Sequence, residues 1–238
     1  VGSEMCIRDS GLAELPQLLV TALGEAAHAN VSISSIQKIG AGWRVDWNGI
    51  AHLYDEILLT TPAHALDKLP LDESLQKALK PLLAIDYSPV SVLTVAFKRS
   101  DVAHPLDGFG LLVPEYEGRK ILGALFPASL FASRAPAGEV LLTVFVGGER
   151  QAGLAVPDKD TLLASVLPEL KELFGTTGEP TFSHHRHWPR AIPQYNIGYG
   201  KMLAQMDLVE KKFAGLKLAG NYRDGISLSN CIEAAVSK

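Results

Sequence analysis

Hydrophobic positions change their period several times along this chain. Residues 14–28 place Leu15, Leu18, Leu19, Val20, Leu23 and Ala26 at mostly helical spacing, which predicts an amphipathic helix. From Val31 the period drops toward two. Val31 and Ile33 alternate, Ile36 and Ile39 extend the run, and Trp43, Val45 and Trp47 alternate after the turn Gly40-Ala41-Gly42. Asn48-Gly49 signals a two-residue hairpin, because both residue types tolerate positive φ. An apolar strand over residues 54–60 follows, so residues 30–61 read as a β-meander feeding a buried strand. Pro62 ends it, and residues 62–85 return to helical spacing through Leu66, Leu69, Leu75, Leu79, Leu82 and Leu83.

Beyond Pro89 the texture becomes β-rich. The runs VSVLTVAF, GFGLLV, ILGALF and VLLTVFVGG are full of Val, Leu and Phe and bounded by Gly, Pro or Asp. They predict a second sheet with largely antiparallel neighbours. Residues 158–174 are helical again, residues 180–188 extended, residues 195–213 a loop and then a helix, and residues 216–219 a short buried strand. The order gives a mixed α/β fold of two lobes, the first completed by the C-terminal segment.

Composition narrows the function classes. A chain of 238 residues that is 47% hydrophobic supports one large or two modest domains. A net charge of −4 without a basic block argues against a nucleic-acid partner. No apolar run approaches the ~18 residues of a membrane span, and the basic-then-apolar layout of a signal peptide is absent from the sequence. Two cysteines, Cys6 and Cys231, make no disulfide framework, so a reducing cytoplasmic setting is expected. The opening VGSEMCIRDS joins no later pattern and is expected to be a non-native leader.

Candidate chemistry concentrates in LAGNYRDGISLSN near the C-terminus. A short strand stops at Gly220, Gly225 lies in the following loop, and a helix is predicted from about Ser227. A helix start offers free N–H groups and the positive end of its dipole, and glycine lets backbone approach a flat ligand. Ordinary punctuation, with glycine ending a strand and serine capping a helix, fits the same letters. His184, His185 and His187 invite a metal, but on a strand they alternate faces and no cysteine or helical His pair supports one. Asp101, His104, Glu115 and Glu117 fall in no nucleophile or zinc motif, and Ser129 lacks a Gly-x-Ser-x-Gly elbow. Leu112, Leu125 and Phe145 sit in mid-run, compatible with core and equally with the lining of a slot for a flat apolar molecule.

Taken together, HPLDGFGLLVPE, ILGALFPASLFASRAP, VLLTVFVGG, WPRAIPQYNIGYG and LAGNYRDGISLSNCIEAA resemble the protoporphyrinogen oxidase family, oxygen-dependent flavoproteins of the amine-oxidase-like superfamily. The resemblance runs in order from about Gly11 to Lys238. It implies an incomplete FAD-binding, Rossmann-like lobe (residues 11–65 and 188–238) and a substrate lobe with a mostly antiparallel sheet (residues 66–187). It further implies that this chain is the C-terminal half, inactive alone, with the Gly-x-Gly-x-x-Gly turn and the substrate-carboxylate arginine in the other half. FAD is the implied cofactor. Ile36 matches an adenine-side main-chain contact; Thr60, Thr61 and Pro62 match a strand end bordering the cofactor. Trp188 matches an aromatic near the flavin, and Gly220, Gly225, Ile226 and Ser227 match the loop and helix start that hold it. Leu112, Leu125 and Phe145 match residues that clamp a tetrapyrrole. The implied partners are a porphyrinogen and dioxygen, and the reaction is hydride removal with hydrogen peroxide released; no catalytic acid or base is implied. Peripheral membrane association and a homodimer stay open. So do coproporphyrinogen as substrate, a carotenoid desaturase, and a non-catalytic porphyrin-binding module.

Overall fold

A computed structural model describes residues 13–237; the ten-residue opening segment lies outside them. In chain order, helix α1 (Glu14–Leu23) precedes strands β1 (Ile33–Ile39), β2 (Gly42–Trp47), β3 (Ile50–Tyr54) and β4 (Ile57–Leu59). Helix α2 (Glu73–Leu79) follows, flanked by 3₁₀ turns at Ala63–Lys68 and Lys80–Ala84. Strands β5 (Tyr87–Lys98), β6 (Gly110–Leu112), β7 (Gly123–Leu125) and β8 (Glu139–Gly147) come next, with a one-turn helix α3 (Pro127–Leu130) before β8. Helix α4 (Lys159–Phe174), β9 (Phe182–Pro193), α5 (Gly200–Lys212), β10 (Leu216–Leu218) and α6 (Leu228–Ser237) complete the chain.

The chain divides into two compact units, one of His28–Tyr87 with Pro193–Lys238, the other of Ser88–Ile192 with the residues up to Ala27. Residues 66–87, expected with the substrate lobe, thus belong with the meander, and residues 188–192 with the large sheet. The cause is packing. Leu66, Leu75, Leu79 and Leu82 are fully buried in one core with Trp43, Met206, Leu216, Leu218 and Tyr222. Ile36 fastens the two stretches together through a parallel bridge to Leu71.

Within this first unit, β1–β2–β3 form the expected antiparallel meander. Asn48 and Gly49 both have positive φ, 52° and 75°, as the hairpin signal requires. The expected buried strand is divided: β3 ends at Tyr54, and β4 leaves the meander to pair with β10, in parallel. The stretch 62–85 is also broken up. Proline at 70 and 81 interrupts a continuous helix, because proline lacks the N–H and clashes with the preceding turn. Asp72 restarts it by accepting the Leu75 N–H at 2.9 Å.

The second unit holds a five-stranded sheet in the order β6-β7-β8-β5-β9. One face carries Leu93, Val95, Ala124, Leu142, Val144 and Val146 against Leu162, Val166, Leu170 and Phe174 of α4. Asp158 caps α4 through the Thr161 N–H at 2.7 Å. Helix α1 has the expected spacing yet buries none of its residues among those described. Among the described residues no helix is long and apolar enough to cross a membrane.

Candidate functional site

The two parallel strands β4 and β10 stop side by side. Leu59 pairs with Leu218, and the Ala219 N–H donates to the Leu59 carbonyl at 3.1 Å. Thr60-Thr61-Pro62 and Gly220 therefore leave the same edge, the carboxyl end of parallel strands, where open α/β sheets take ligands. Thr60 and Pro62 are exposed, and Pro62 opens the following 3₁₀ turn. The Thr61 hydroxyl is buried without a hydrogen-bond partner.

The loop after β10 returns to that edge. Gly220 has φ 134°, and a Cβ there would stand 3.2 Å from the Tyr222 ring and 3.7 Å from the Thr60 carbonyl. Gly225 has φ 113°, and a Cβ there would press to 2.7 Å on the Asn230 side chain, so both conformation and space require glycine. Ser227 caps α6: its hydroxyl accepts the Asn230 N–H at 3.1 Å and donates to the Asn230 side-chain oxygen. The serine hydroxyl is thereby committed to the helix. Ile226, beside it, is half exposed.

Groups that the sequence reading missed hold this loop in place. Arg223 donates to both oxygens of Glu210 at 2.5 and 3.1 Å, to Asp207 at 2.8 Å and to the Leu218 carbonyl at 3.2 Å. Glu210 also accepts the Leu218 N–H at 2.7 Å, which locks the end of β10 to α5. On the other side, Tyr195 donates to the Asn221 carbonyl and accepts the Gly225 N–H at 3.2 Å, so one phenol spans both ends of the turn. Tyr199 donates to the Tyr222 carbonyl. Burial raises Tyr195, Tyr199 and Tyr222 above the ordinary phenol range, with neighbouring phenols or carboxylates adding to it. They stay protonated and able to donate. The signal available in sequence was QYNIGYG, with tyrosines four residues apart at the start of a helix.

Ile36 does not sit as expected. Its N–H donates to the Pro70 carbonyl at 2.8 Å and its carbonyl accepts the Asp72 N–H at 3.2 Å, so its main chain is fully occupied. Its side chain is buried in the core. Ile33, three residues earlier, is 41% exposed. It lines a cavity of about 410 Å³ with Val31, Trp47, Glu56 and Leu58, and with Ile36 itself, between the meander and β4.

In the second unit the sheet gathers the three apolar candidates. Leu112 pairs with Gly123, Gly123 with Phe145, and Phe145 with Val92. Directly opposed residues share a face. That row lies on the face opposite α4, and Leu125 stands one row along, between Gly110 and Thr143. Leu112 is 86% exposed, so it belongs to an open face and not to the core. Gly123 keeps the row low, because a Cβ there would lie 2.5 Å from the Leu111 carbonyl. Trp188, on β9, belongs to this unit and not to the one carrying the glycine loop; it lies half exposed under the Arg186 guanidinium at 4.7 Å.

The histidines alternate as the strand period requires. His187 meets the buried Ser91 hydroxyl at 3.0 Å, and His185 is half-buried, with burial and the neighbouring histidines holding its pKa below the usual range. His185 and His187 are half-packed residues of the α4 side, while His184 is exposed on the other face of this edge strand. Among the described residues no group of His, Cys, Asp and Glu is placed to hold a metal.

The profile of the flavin containing amine oxidoreductase family matches residues 1–237. The chain belongs to that family. Mitochondrial protoporphyrinogen oxidase of Nicotiana tabacum is 37% identical over 185 residues, covering 76% of this chain and 37% of the relative. Chloroplastic protoporphyrinogen oxidase 1 of Arabidopsis thaliana is 30% identical over 242 residues, covering 94% and 44%. A solved structure from Exiguobacterium sp. 255-15, assigned as a protoporphyrinogen oxidase, superimposes with a TM-score of 0.79 at 22% identity, over 96% of this chain and 50% of that one. Cyclohexylamine oxidase from Brevibacterium oxydans gives 0.68 at 15%, over 95% and 50%. The chain spans less than half the length of these two curated relatives.

Membership in the flavin containing amine oxidoreductases makes FAD the cofactor, and the residues present fit it. The buried, unpartnered Thr61 hydroxyl and the Gly220 turn share one strand edge, which suits a flat ligand carrying carbonyl and phosphate acceptors.

Proposed function

We propose that the intact protein oxidises a porphyrinogen, protoporphyrinogen IX foremost, to the porphyrin, with dioxygen as final acceptor and hydrogen peroxide as its product. Support comes first from the open sheet face. Leu112 and Phe145 lie in one row with a glycine between them, and Leu125 adjoins it, which makes a flat apolar floor. Bound FAD would supply the hydride acceptor. This chain's residues position: the floor receives the macrocycle, and the loop 220–227 with Thr60-Thr61-Pro62 receives the cofactor. Ile33 and Val31, in place of Ile36, are offered as apolar neighbours of its adenine end, because all three line the same cavity but Ile36 is buried and its main chain is occupied by Pro70 and Asp72. No acid–base pair is required of such a site, since the cofactor carries the hard chemistry.

Coproporphyrinogen III is the second reading. Coproporphyrinogen III oxidases of Staphylococcus aureus and Propionibacterium freudenreichii are 23% and 30% identical to this chain. Fluorescence of the product porphyrin, followed aerobically with each porphyrinogen and the intact protein, decides between them. The proposal expects porphyrin and peroxide to appear together, faster from protoporphyrinogen. An intact, FAD-loaded protein that oxidises neither would overturn it.

A further inference from the structure

The open face of the five-stranded sheet ends in a cation that no carboxylate among the described residues neutralises. The Thr181 N–H donates to the Ala96 carbonyl at 2.9 Å, and further along His187 reaches Ser91 at 3.0 Å. Strand β9 therefore runs antiparallel to β5. Ser91 is fully buried on the α4 side, so His187 points there too, and Arg186 and Trp188 point to the open face. Arg186 lies on the open face of β9, in the stretch of that strand that runs beside Ser91. The row of Val92, Phe145, Gly123 and Leu112 thus runs toward the β9 edge that carries Arg186. Five strands at ~4.8 Å spacing make a lane roughly 19 Å long, apolar along its length and cationic at one end.

Three other arginines of this unit are engaged by carboxylates or carbonyls. Arg119 pairs with Glu169 and Glu172, Arg99 donates to the Val102, His104 and Pro105 carbonyls, and Arg150 donates to the Val113 carbonyl. Arg186 has neither carboxylate nor carbonyl among the described residues. It rests on the Trp188 face at 4.7 Å, a contact that restrains the guanidinium without using its N–H donors. A stacked arginine with its N–H donors unused is suited to bidentate carboxylate recognition. Arg190 is exposed on the same strand, but four residues on, about 13 Å beyond the lane.

We propose that Arg186, seated on Trp188, is a specificity-determining residue that pairs with a peripheral carboxylate of the flat apolar substrate lying across Phe145 and Leu112. This rests on the reading of the open face as the macrocycle floor. It adds a carboxylate anchor in this chain, where the sequence had placed one only in the other half.

The test uses the intact, FAD-loaded protein, titrated with protoporphyrin IX and with its dimethyl ester and followed by porphyrin fluorescence. Arg186→Ala is expected to weaken the diacid by about 10- to 100-fold, the range of a charge-assisted pair, and to leave the ester within about twofold. Arg186→Lys is expected to recover part of that loss, because it keeps the charge without the fork. A loss of porphyrinogen oxidation through KM, with kcat held, would accompany it. Wild type that prefers the diacid while Arg186→Ala binds both as wild type does would overturn the anchor and leave the floor standing. Equal weakening of diacid and ester would reduce Arg186 to a structural role and also overturn the anchor. Wild type that binds neither ligand would overturn floor and anchor together.

Discussion

Glu210 is the point on which the glycine loop hangs, and removing its carboxylate gives a measurable cost. In Glu210→Ala, Arg223 loses two hydrogen bonds at 2.5 and 3.1 Å, and the Leu218 N–H loses its acceptor at 2.7 Å. The Arg223 and Glu210 side chains are 11% and 17% accessible, so water replaces little of what is lost. Breaking a buried pair from one side costs ~3–5 kcal/mol. Asp207 stays within 2.8 Å of Arg223 and, at 59% accessible, offsets part of it, which puts the expectation at ~3 kcal/mol. At ~2–4 °C per kcal/mol for a domain of this size, the melting temperature of the intact protein should fall by about 6–12 °C. Circular dichroism on heating and urea titration read this directly. Glu210→Gln, which keeps an acceptor for Leu218, should lose less. Asp207→Asn, which touches only the exposed partner, should cost ~0–1 kcal/mol. A Glu210→Ala protein within 1 kcal/mol of wild type would refute the view that this pair fixes the loop.

Tyr195→Phe removes the phenol that joins the Asn221 carbonyl to the Gly225 N–H; FAD dissociation, read by flavin fluorescence, should rise about tenfold, the worth of one ordered hydrogen bond, and no change would separate the loop from cofactor retention. Leu112→Ala should leave stability within ~0.5 kcal/mol because the side chain is exposed, yet raise the KM for porphyrinogen by about tenfold as ~1.5 kcal/mol of apolar contact is lost; an unchanged KM would move the substrate off this face. Asp72→Ala should cost ~1 kcal/mol at neutral pH. Burial alone would raise the Asp72 carboxyl, but hydrogen bonds from the Ser74 hydroxyl and the Leu75 N–H hold it below the ordinary range. Its contribution is therefore full above the unfolded value near pH ~4 and fades as the pH drops through the depressed folded value. Urea titrations of both proteins should converge in acid; a gap that persists there would contradict the cap.

Periodicity revealed the elements better than it revealed their partners. The meander, the four β-rich runs and α4 follow from local pattern, and Asn48-Gly49 formed the turn its chemistry demands. What pattern could not supply was which strand β4 would join, since Ile57–Leu59 pairs with Leu216–Leu218 some 160 residues away in sequence. Ile36 went astray for a similar reason. Alternation marks it as inward-facing, but only tertiary pairing with Pro70 and Asp72 uses up its main chain. Leu112, Leu125 and Phe145 share one face because the register is set across three strands, which no single run encodes. Serine 227 was legible both as a cap and as part of a loop near a ligand, and the hydroxyl is committed to the cap. Arg186 was invisible as a site because a charged residue on an alternating strand reads as solvated; that no carboxylate among the described residues pairs with it emerges only with the sheet assembled.

The central claim is that FAD is held where β4 and β10 end together. Hydrogen–deuterium exchange of the intact apoprotein, with and without added FAD, tests it most directly. The account expects protection to rise at residues 60–62 and 220–227 and to leave the five-stranded sheet's α4 side unchanged. Saturating FAD that leaves both of those segments exchanging as in the apoprotein would contradict it.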